Sequence, residues 1–353
     1  MKSAADLLAN GEVVALPTET VYGLAGDATL ESSVHKIFAA KERPSFDPLI
    51  VHVSSEILKH PNGPLKALVN QGILDSSILT WPHKESIEKS MSHFWPGPLT
   101  YVLPRGSRIP GAVTSGQSTV GIRMPSHPLF QAVLRQISFP LAAPSANRFG
   151  RISPTTAEHV KAELQNRIAG ILDGGPCSVG VESSIISILN PLKITLLRPG
   201  KVSKVELEEY FQVPVGVQQT LGEQNQAQLA PGMLDQHYAP KKPLLLIPEP
   251  FDLAKDLPVQ IKVANLSGKA AFLSQGPIPS ELIAALNGEV HVLSSSSSLD
   301  EAAQNLFSEM RKLDEREDIH FIVADLPTEH SSGLAAAIAD RLNRASINKP
   351  LRK

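Results

Sequence analysis

Short apolar runs recur along the chain, and each is broken by a proline, a glycine or a cluster of polar residues. Up to about Lys201 these runs predict strands at Val13–Leu16, Leu49–Val53, Leu99–Leu103, Val120–Arg123, Leu141–Ala143, Ile168–Leu172, Ser184–Leu189 and Ile194–Arg198. The stretch after Thr20 reads as helix-like as far as Arg43, with Pro44 as its stop, and its helix is placed over Ser32–Ala40. Further helices are predicted at Glu85–Phe94, Pro128–Ile137 and Thr155–Leu164, the last opening with an acid in its first turn. Polar groups gather where strands finish: Thr18, Glu19 and Thr20 after the first, His52 at the end of the second. Ligands of α/β folds commonly bind at such places. Many strands with few helices predict an α/β domain built on a mixed sheet.

The pattern changes between 201 and 240. Strand alternation is lost, and Gln218-Gln219, Gln224-Asn225-Gln226 and Ala230-Pro231-Gly232-Met233 follow. This is read as an interdomain linker, longer than an ordinary connection. Alternation returns after Pro240, with strands expected at Leu244–Ile247, Ala270–Leu273, Val290–Leu293 and Ile319–Ala324, and helices at Leu299–Leu313 and Gly333–Ala345. Asp300 and Glu301 near one helix start, and Arg341 and Arg344 near the other's end, suit the helix dipole. The Ser294–Ser298 run reads as the lead into a cap, with a flexible regulatory tract as the other reading. The expected organisation is a catalytic domain over 1–205, a linker over 206–240 and a smaller, doubly wound domain over 241–353.

With 353 residues there is material for two cores. A net charge of −2 supplies no global field toward RNA or a membrane, so any nucleic-acid contact has to be local. The apolar runs fall far short of a membrane span, and the first residues lack a signal-peptide apolar region. The single cysteine, Cys177, excludes an internal disulfide framework, and nothing around it marks a reactive thiolate. A cytoplasmic protein without membrane contact is expected. The 29 prolines, many at element ends, suggest rigid loops around a site.

The chain has no GxxxxGK[ST] loop, no GxGxxG fingerprint, no HExxH and no paired CxxC. Lys41 and Arg43, two apart before Pro44, can reach one anion across a loop or can form a solvated helix end. Arg123 at a strand terminus suits a small carboxylate, because two parallel N–H groups match two oxygens; a structural salt bridge is the alternative. The small residues of Ala142-Ala143-Pro144-Ser145-Ala146-Asn147, with Ser153 soon after, let phosphate approach backbone N–H groups, or form an ordinary turn with a cap.

Three blocks in order, Pro17-Thr18-Glu19-Thr20-Val21-Tyr22-Gly23-Leu24, Lys41-x-Arg43-Pro44 and Pro48-Leu49-Ile50-Val51-His52, closely resemble the start of the threonylcarbamoyl-AMP synthase family with its YrdC-like domain. Later blocks extend the resemblance to about residue 240: FWPGPLT at 94–100, TVGIRMP at 119–125, SAN at 145–147, DGG at 173–175, GVESS at 180–184, LRPG at 197–200, and PGM with HYAP in the linker. Where the family usually has a serine this chain has Phe149, and where it commonly has an aspartate this chain has Ser187. Neither position is given a ligand role.

The resemblance implies a YrdC-like twisted mixed-sheet domain followed by a smaller Rossmann-like α/β domain. It implies synthesis of threonylcarbamoyl-AMP and pyrophosphate from L-threonine, bicarbonate or CO2, and ATP, for threonylcarbamoyladenosine modification of tRNA by a separate transferase. Lys41 and Arg43 become catalytic candidates. Thr20, His52, Arg123, Ala143 and Ser183 become threonine-binding candidates, with His52 a proton relay or only a hydrogen-bond partner. Arg43, Asp47, Thr119, Ser145, Ser153, Arg198 and Tyr238 become ATP-binding candidates, Tyr238 as a lid contact or as simple docking of the linker. Mg2+ is expected to arrive with ATP, without a dedicated protein site and without an organic cofactor. A non-catalytic RNA-binding or regulatory protein on the same scaffold is the alternative, with Lys41, Arg43, Arg148 and Arg151 lining a weak tRNA surface. A carbamoyl-transfer module of the hydrogenase-maturation type is disfavoured, because such modules usually carry paired-cysteine zinc motifs.

Overall fold

The structure is a computed structural model that describes residues 3–190, 193–218, 230–232, 237–247, 261–277, 289–327 and 332–347. Met233 and the glutamine-rich stretch from 219 to 226 lie outside the described residues. The first domain carries a ten-stranded sheet. Its strands are β1 (Val14–Leu16), β2 (Gly23–Asp27), β3 (Ile50–His52), β4 (Leu99–Pro104), β5 (Thr119–Arg123), β6 (Leu141–Ala142), β7 (Gly170–Ile171), β8 (Ser184–Asn190), β9 (Lys193–Arg198) and β10 (Val215–Val217). They lie in the order β10-β9-β8-β4-β5-β3-β6-β2-β1-β7 and mix parallel with antiparallel pairs. Most of the central strands are buried along their length, as apolar runs without alternation require.

Helices α1 (Ala4–Ala9), α2 (Glu31–Lys41), α3 (Gly63–Asn70), α4 (Lys84–Phe94), α5 (Pro128–Gln136), α6 (Ala157–Leu164) and α7 (Lys204–Phe211) accompany this sheet. Strong caps fix several of them. Ser3 and Ser203 each form a capping box, with Asp6 and Glu206 respectively. Helix α2 ends at Glu42, whose φ of 54° is left-handed, and Pro44 follows at once.

The segment after Thr20 departs from its helix-like reading. Residues 23–27 form β2 between β1 and β6. Small residues decide this: a Cβ on Gly26 would come within 2.7 Å of Ser33 Oγ on α2, so only glycine lets the helix sit this close. The start of the expected linker is also structured, because α7 and β10 belong to the first sheet's domain, β10 pairing with β9.

The second domain is a four-stranded parallel sheet of β11 (Leu244–Leu246), β12 (Ala270–Ser274), β13 (Glu289–Val292) and β14 (Phe321–Ala324), in the order β11-β14-β12-β13. Helices α8 (Leu299–Glu315) and α9 (Gly333–Ala345) cover one face, and Ile261, Ala264 and Leu266 pack on the other. The core under α8 and α9 is shared with the first domain: Val21, Ile152, Val179, Val181 and Tyr238 are buried in it. The two domains therefore meet through apolar packing beside the loops that carry the motif blocks.

Candidate active site

Strand register brings the motif residues together. His52 lies opposite Arg123, Arg123 opposite Thr100, Thr100 opposite Ile185, and Ile185 opposite Arg198. One cross-strand row thus runs over β3, β5, β4, β8 and β9, and three of its members are the last residues of their strands. At its Arg198 end, Ser183 pairs with Thr100 Oγ1 at 2.8 Å and accepts from Arg198 Nη2 at 3.1 Å. Arg198 also donates to the Ser183 carbonyl at 3.1 Å and, from Nη1, to the Pro231 carbonyl at 3.3 Å.

The first turn is closed by its own hydroxyls. Thr18 donates to the Val21 carbonyl at 2.7 Å and accepts from the Thr20 and Val21 amides. Thr20 then accepts from Arg123 Nη1 at 2.9 Å. Glu19 reaches Arg123 Nη2 at 2.7 Å and accepts from the Ser126 amide at 3.1 Å. The 2.7 Å contact is an ion pair without the alignment of a hydrogen bond. His52 lies against Phe130, with its Nδ1 at 3.2 Å from the Ile50 carbonyl. Burial, with the Arg123 charge beside it, pushes its pKa down to about 3, so the ring is neutral near pH 7.

Lys41 and Arg43 part company. Arg43 lines the cavity, braced by Asp47 Oδ2 at 2.9 Å and the Pro48 carbonyl at 2.8 Å, with Phe149 under its guanidinium at 5.9 Å. Burial lowers its pKa against the pull of Asp47; the same burial raises the Asp47 carboxyl. The Lys41 ammonium instead donates to the Ser145 and Asn147 carbonyls at 2.5 and 2.6 Å, behind the cavity wall. Burial, then the Arg43 charge, holds its pKa well below the ordinary lysine value. Lys41 is thus the tether of the Ser145–Asn147 loop. Asp47 stands behind Arg43, and Thr119 is at the far end of β5 from Arg123, paired with Pro104.

The cavity is lined by His52, Arg123, Arg43, Ala143, Ser145, Glu182, Arg198 and Tyr238, with Val21, Ile50, Pro144, Pro231, Gly232 and His237. Thr20, Ser153 and Ser183 support this lining from directly behind it. Tyr238 is buried, with φ of 62°, and its hydroxyl has no hydrogen-bond partner among the described residues. A Cβ on Gly232 would sit 2.5 Å from that hydroxyl, so the Pro231-Gly232 turn closes onto the ring. With the turn there, the enclosed space is about 40 Å³, enough for water and far too small for a nucleotide. Two roomier surface hollows, of about 420 and 530 Å³, contain none of the expected site residues. Among the described residues no group of three or more His, Cys, Asp or Glu side chains could hold a metal ion. No described helix is long and apolar enough to cross a membrane. Cys177 is buried, and desolvation pushes its thiol up to about 12.

Sequence reasoning missed the roles of Glu19 and Glu182, though both stand inside quoted motif blocks. The available signal was an acid inside each block; that they lie beside Arg123 and Ser153 shows only in the fold. It also missed Arg341, which reaches Glu182 Oε2 at 2.9 Å from the second domain. Burial would raise the Glu182 carboxyl, but Arg341 and Arg198 outweigh it and hold the pKa below the ordinary glutamate value.

Comparison with known proteins covers both domains. A family model named for Sua5, YciO and YrdC, with the description "Telomere recombination", matches residues 6–200. A second, "Threonylcarbamoyl-AMP synthase, C-terminal domain", matches residues 202–346. The chain is 38% identical to the threonylcarbamoyl-AMP synthase of Bacillus subtilis, over 99% of this chain and 93% of that protein. It is 34% identical to the Pyrococcus abyssi protein of the same name, over 98% and 94%. The crystal structure of P. abyssi Sua5 complexed with L-threonine superposes with a TM-score of 0.81 at 33% identity, covering 98% of this chain and 94% of that one. With both domain models matched in order and full-length relatives at this identity, the chain belongs to the threonylcarbamoyl-AMP synthase family.

Proposed function

We propose that the protein is a nucleotidyltransferase that makes threonylcarbamoyl-AMP and pyrophosphate from L-threonine, CO2 or bicarbonate, and ATP. The threonine nitrogen adds to CO2 and loses a proton, giving a carbamate. A carbamate oxygen then bonds to the α-phosphorus as the bond from that phosphorus to the bridging oxygen breaks and pyrophosphate leaves. Two anions have to be held together, so the reaction needs cations and donors more than a strong base. Orientation in a well-ordered site is worth on the order of 7–11 kcal/mol in ideal cases.

The observation that carries this reading is the cross-strand row that sets His52, Arg123 and Arg198 along one cavity. In this reading Arg123 takes the threonine carboxylate, using the Nη2 edge that Glu19 neutralises without an aligned hydrogen bond. Thr20, Ser183 and neutral His52 complete the amino-acid pocket, with Ala143 leaving room. Arg43 and Arg198 neutralise phosphate charge, Ser145 supplies a hydroxyl, Ser153 acts from behind by holding Glu182 in the wall, and the Tyr238 hydroxyl, without a partner among the described residues, meets the nucleotide from the linker side. Lys41 serves by holding the Ser145 loop. Mg2+ would come bound to the triphosphate and add further charge neutralisation. Pro231-Gly232 and Tyr238 then act as a lid, because ATP enters only when they move aside. The product is a labile mixed anhydride, and a separate transferase acting on tRNA in the cytoplasm would consume it.

The test is pyrophosphate release by the purified chain. Release should require threonine, bicarbonate and ATP together. Release that persists without threonine would reject the reading, and salt-sensitive tRNA binding without turnover would favour the non-catalytic alternative.

A further inference from the structure

Ser153 is fully buried and is gripped from two sides by residues that lead to the second domain. On the backbone side, Arg311 of α8 donates to the Ile152 carbonyl and, at 3.5 Å, to the Ser153 carbonyl, while Glu163 pairs with its charge at 2.6 Å. On the side-chain side, the Ser153 hydroxyl donates to Glu182 Oε1, and Glu182 Oε2 accepts from Arg341 Nε at 2.9 Å. Arg341 is fully buried in α9. It also donates to the Pro199 carbonyl at 2.8 Å, next in the chain to Arg198, and its guanidinium lies 5.3 Å from the centre of the Tyr238 ring. The start of α9 is fixed against the same turn: a Cβ on Gly333 would come within 2.6 Å of the Gly200 carbonyl oxygen.

Neither arginine lines the cavity, yet between them they touch the supports of Ser153, Arg198 and Tyr238. On the amino-acid side only Ser183 shares these supports, through Arg198; those of Arg123 and His52 are different. Arg123 is held by Glu19, Thr20 and the Gly97 carbonyl, and His52 by Ile50, all within the first domain. Simple attachment of one domain to the other would not need this convergence. The exposed Lys201–Asp300 pair, at 2.9 Å, also bridges the domains and touches no part of the cavity. A buried arginine–carboxylate pair gives weak net stability, which makes geometry the better account of its presence.

We propose that Arg341 and Arg311 are positioning residues through which the second domain sets the nucleotide half of the site, Arg341 by way of Glu182 and Arg311 by way of the Ile152 and Ser153 carbonyls. This rests on the reading of the cavity as the synthase site.

The experiment uses the full chain and the variants Arg341→Met, Arg341→Lys, Glu182→Gln, Arg311→Met and Lys201→Ala, each checked for a cooperative melt. Initial rates of pyrophosphate release give KM for ATP and for threonine. Arg341→Met and Glu182→Gln should each raise KM for ATP about tenfold while KM for threonine stays put. Their double variant should lose less than the two single effects combined, because the two residues share one ion pair. Arg341→Lys should recover part of the loss, and Lys201→Ala should leave both constants unchanged. If Arg341→Met does not fold, Arg311→Met carries the same expectation with the Glu182 pair intact. Folded variants in which both constants move together, or neither moves, overturn the proposal. Failure of the synthase reading shows separately, as wild-type protein without threonine-dependent release. ATP calorimetry then decides: about tenfold weaker binding in the variants supports the proposal, and equal affinity, or no ATP binding by the wild type, overturns it.

Discussion

Arg123 Nη2 lies 2.7 Å from Glu19 Oε1, and both side chains are almost wholly buried. Removing the arginine strands a carboxylate in the protein interior. Arg123→Ala should therefore lose about 3–5 kcal/mol of stability, part of which Glu19→Gln restores in the double variant. Both variants should raise the threonine requirement about tenfold or more. Urea denaturation and threonine-dependent rates check this. An Arg123→Ala protein of unchanged stability and threonine dependence would remove the pair from the site.

His52 gives a pH dependence with a definite sign. Its folded pKa, about 3, lies below the ordinary 6.5, so the unfolded chain binds the proton more readily. The contribution is fully present above pH 6.5 and is lost as pH falls toward 3. His52→Gln should flatten the stability-versus-pH slope by up to about 1.4 kcal/mol per pH unit within that window. Denaturation midpoints at pH 7 and pH 5 read it out, and parallel slopes for wild type and variant would contradict the buried, neutral ring.

Lys41→Met tests the tether. Two buried carbonyls, of Ser145 and Asn147, lose their donor. Stability should fall by about 2–3 kcal/mol, along with weaker ATP use. Arg43→Met, whose side chain lines the cavity, should weaken ATP use as well. A Lys41→Met protein with an unchanged melt but impaired turnover would put its ammonium on the substrate instead.

The Pro231-Gly232 turn offers a fourth test. A methyl group at Gly232 meets the Tyr238 hydroxyl at 2.5 Å and Arg198 Nη1 at 3.2 Å, at a φ of 77° that side chains avoid. Gly232→Ala should lift the segment off the cavity. Hydrogen exchange at the Ala239 amide, bonded to Gly150 at 2.9 Å, should speed up, and KM for ATP should rise. Unchanged exchange and unchanged KM would show that the turn does not depend on this fit.

Contiguity explains what the sequence disclosed. Lys41, Arg43 and Pro44 sit in one short block, so their types and spacing were visible together. The β4 and β9 runs are apolar and bounded by turns, and the strands lie where those runs put them. The Gly23–Asp27 strand was hidden because glycine and alanine carry little strand signal, and a helix pattern began close behind. The row joining His52 to Arg198 depends on strand order, which periodicity does not encode. Glu182 and Arg341 are 159 positions apart, so their pairing became visible only with the second domain docked.

The central claim is that one cavity joins threonine to ATP through a carbamate. Carbon-labelled bicarbonate tests it most directly. Label should enter a nucleotide-bearing product only when threonine and ATP are both present, and Arg123→Ala should need about tenfold more threonine to reach the same labelling. Label that enters without threonine, or no label in any product of the wild-type protein, would contradict it.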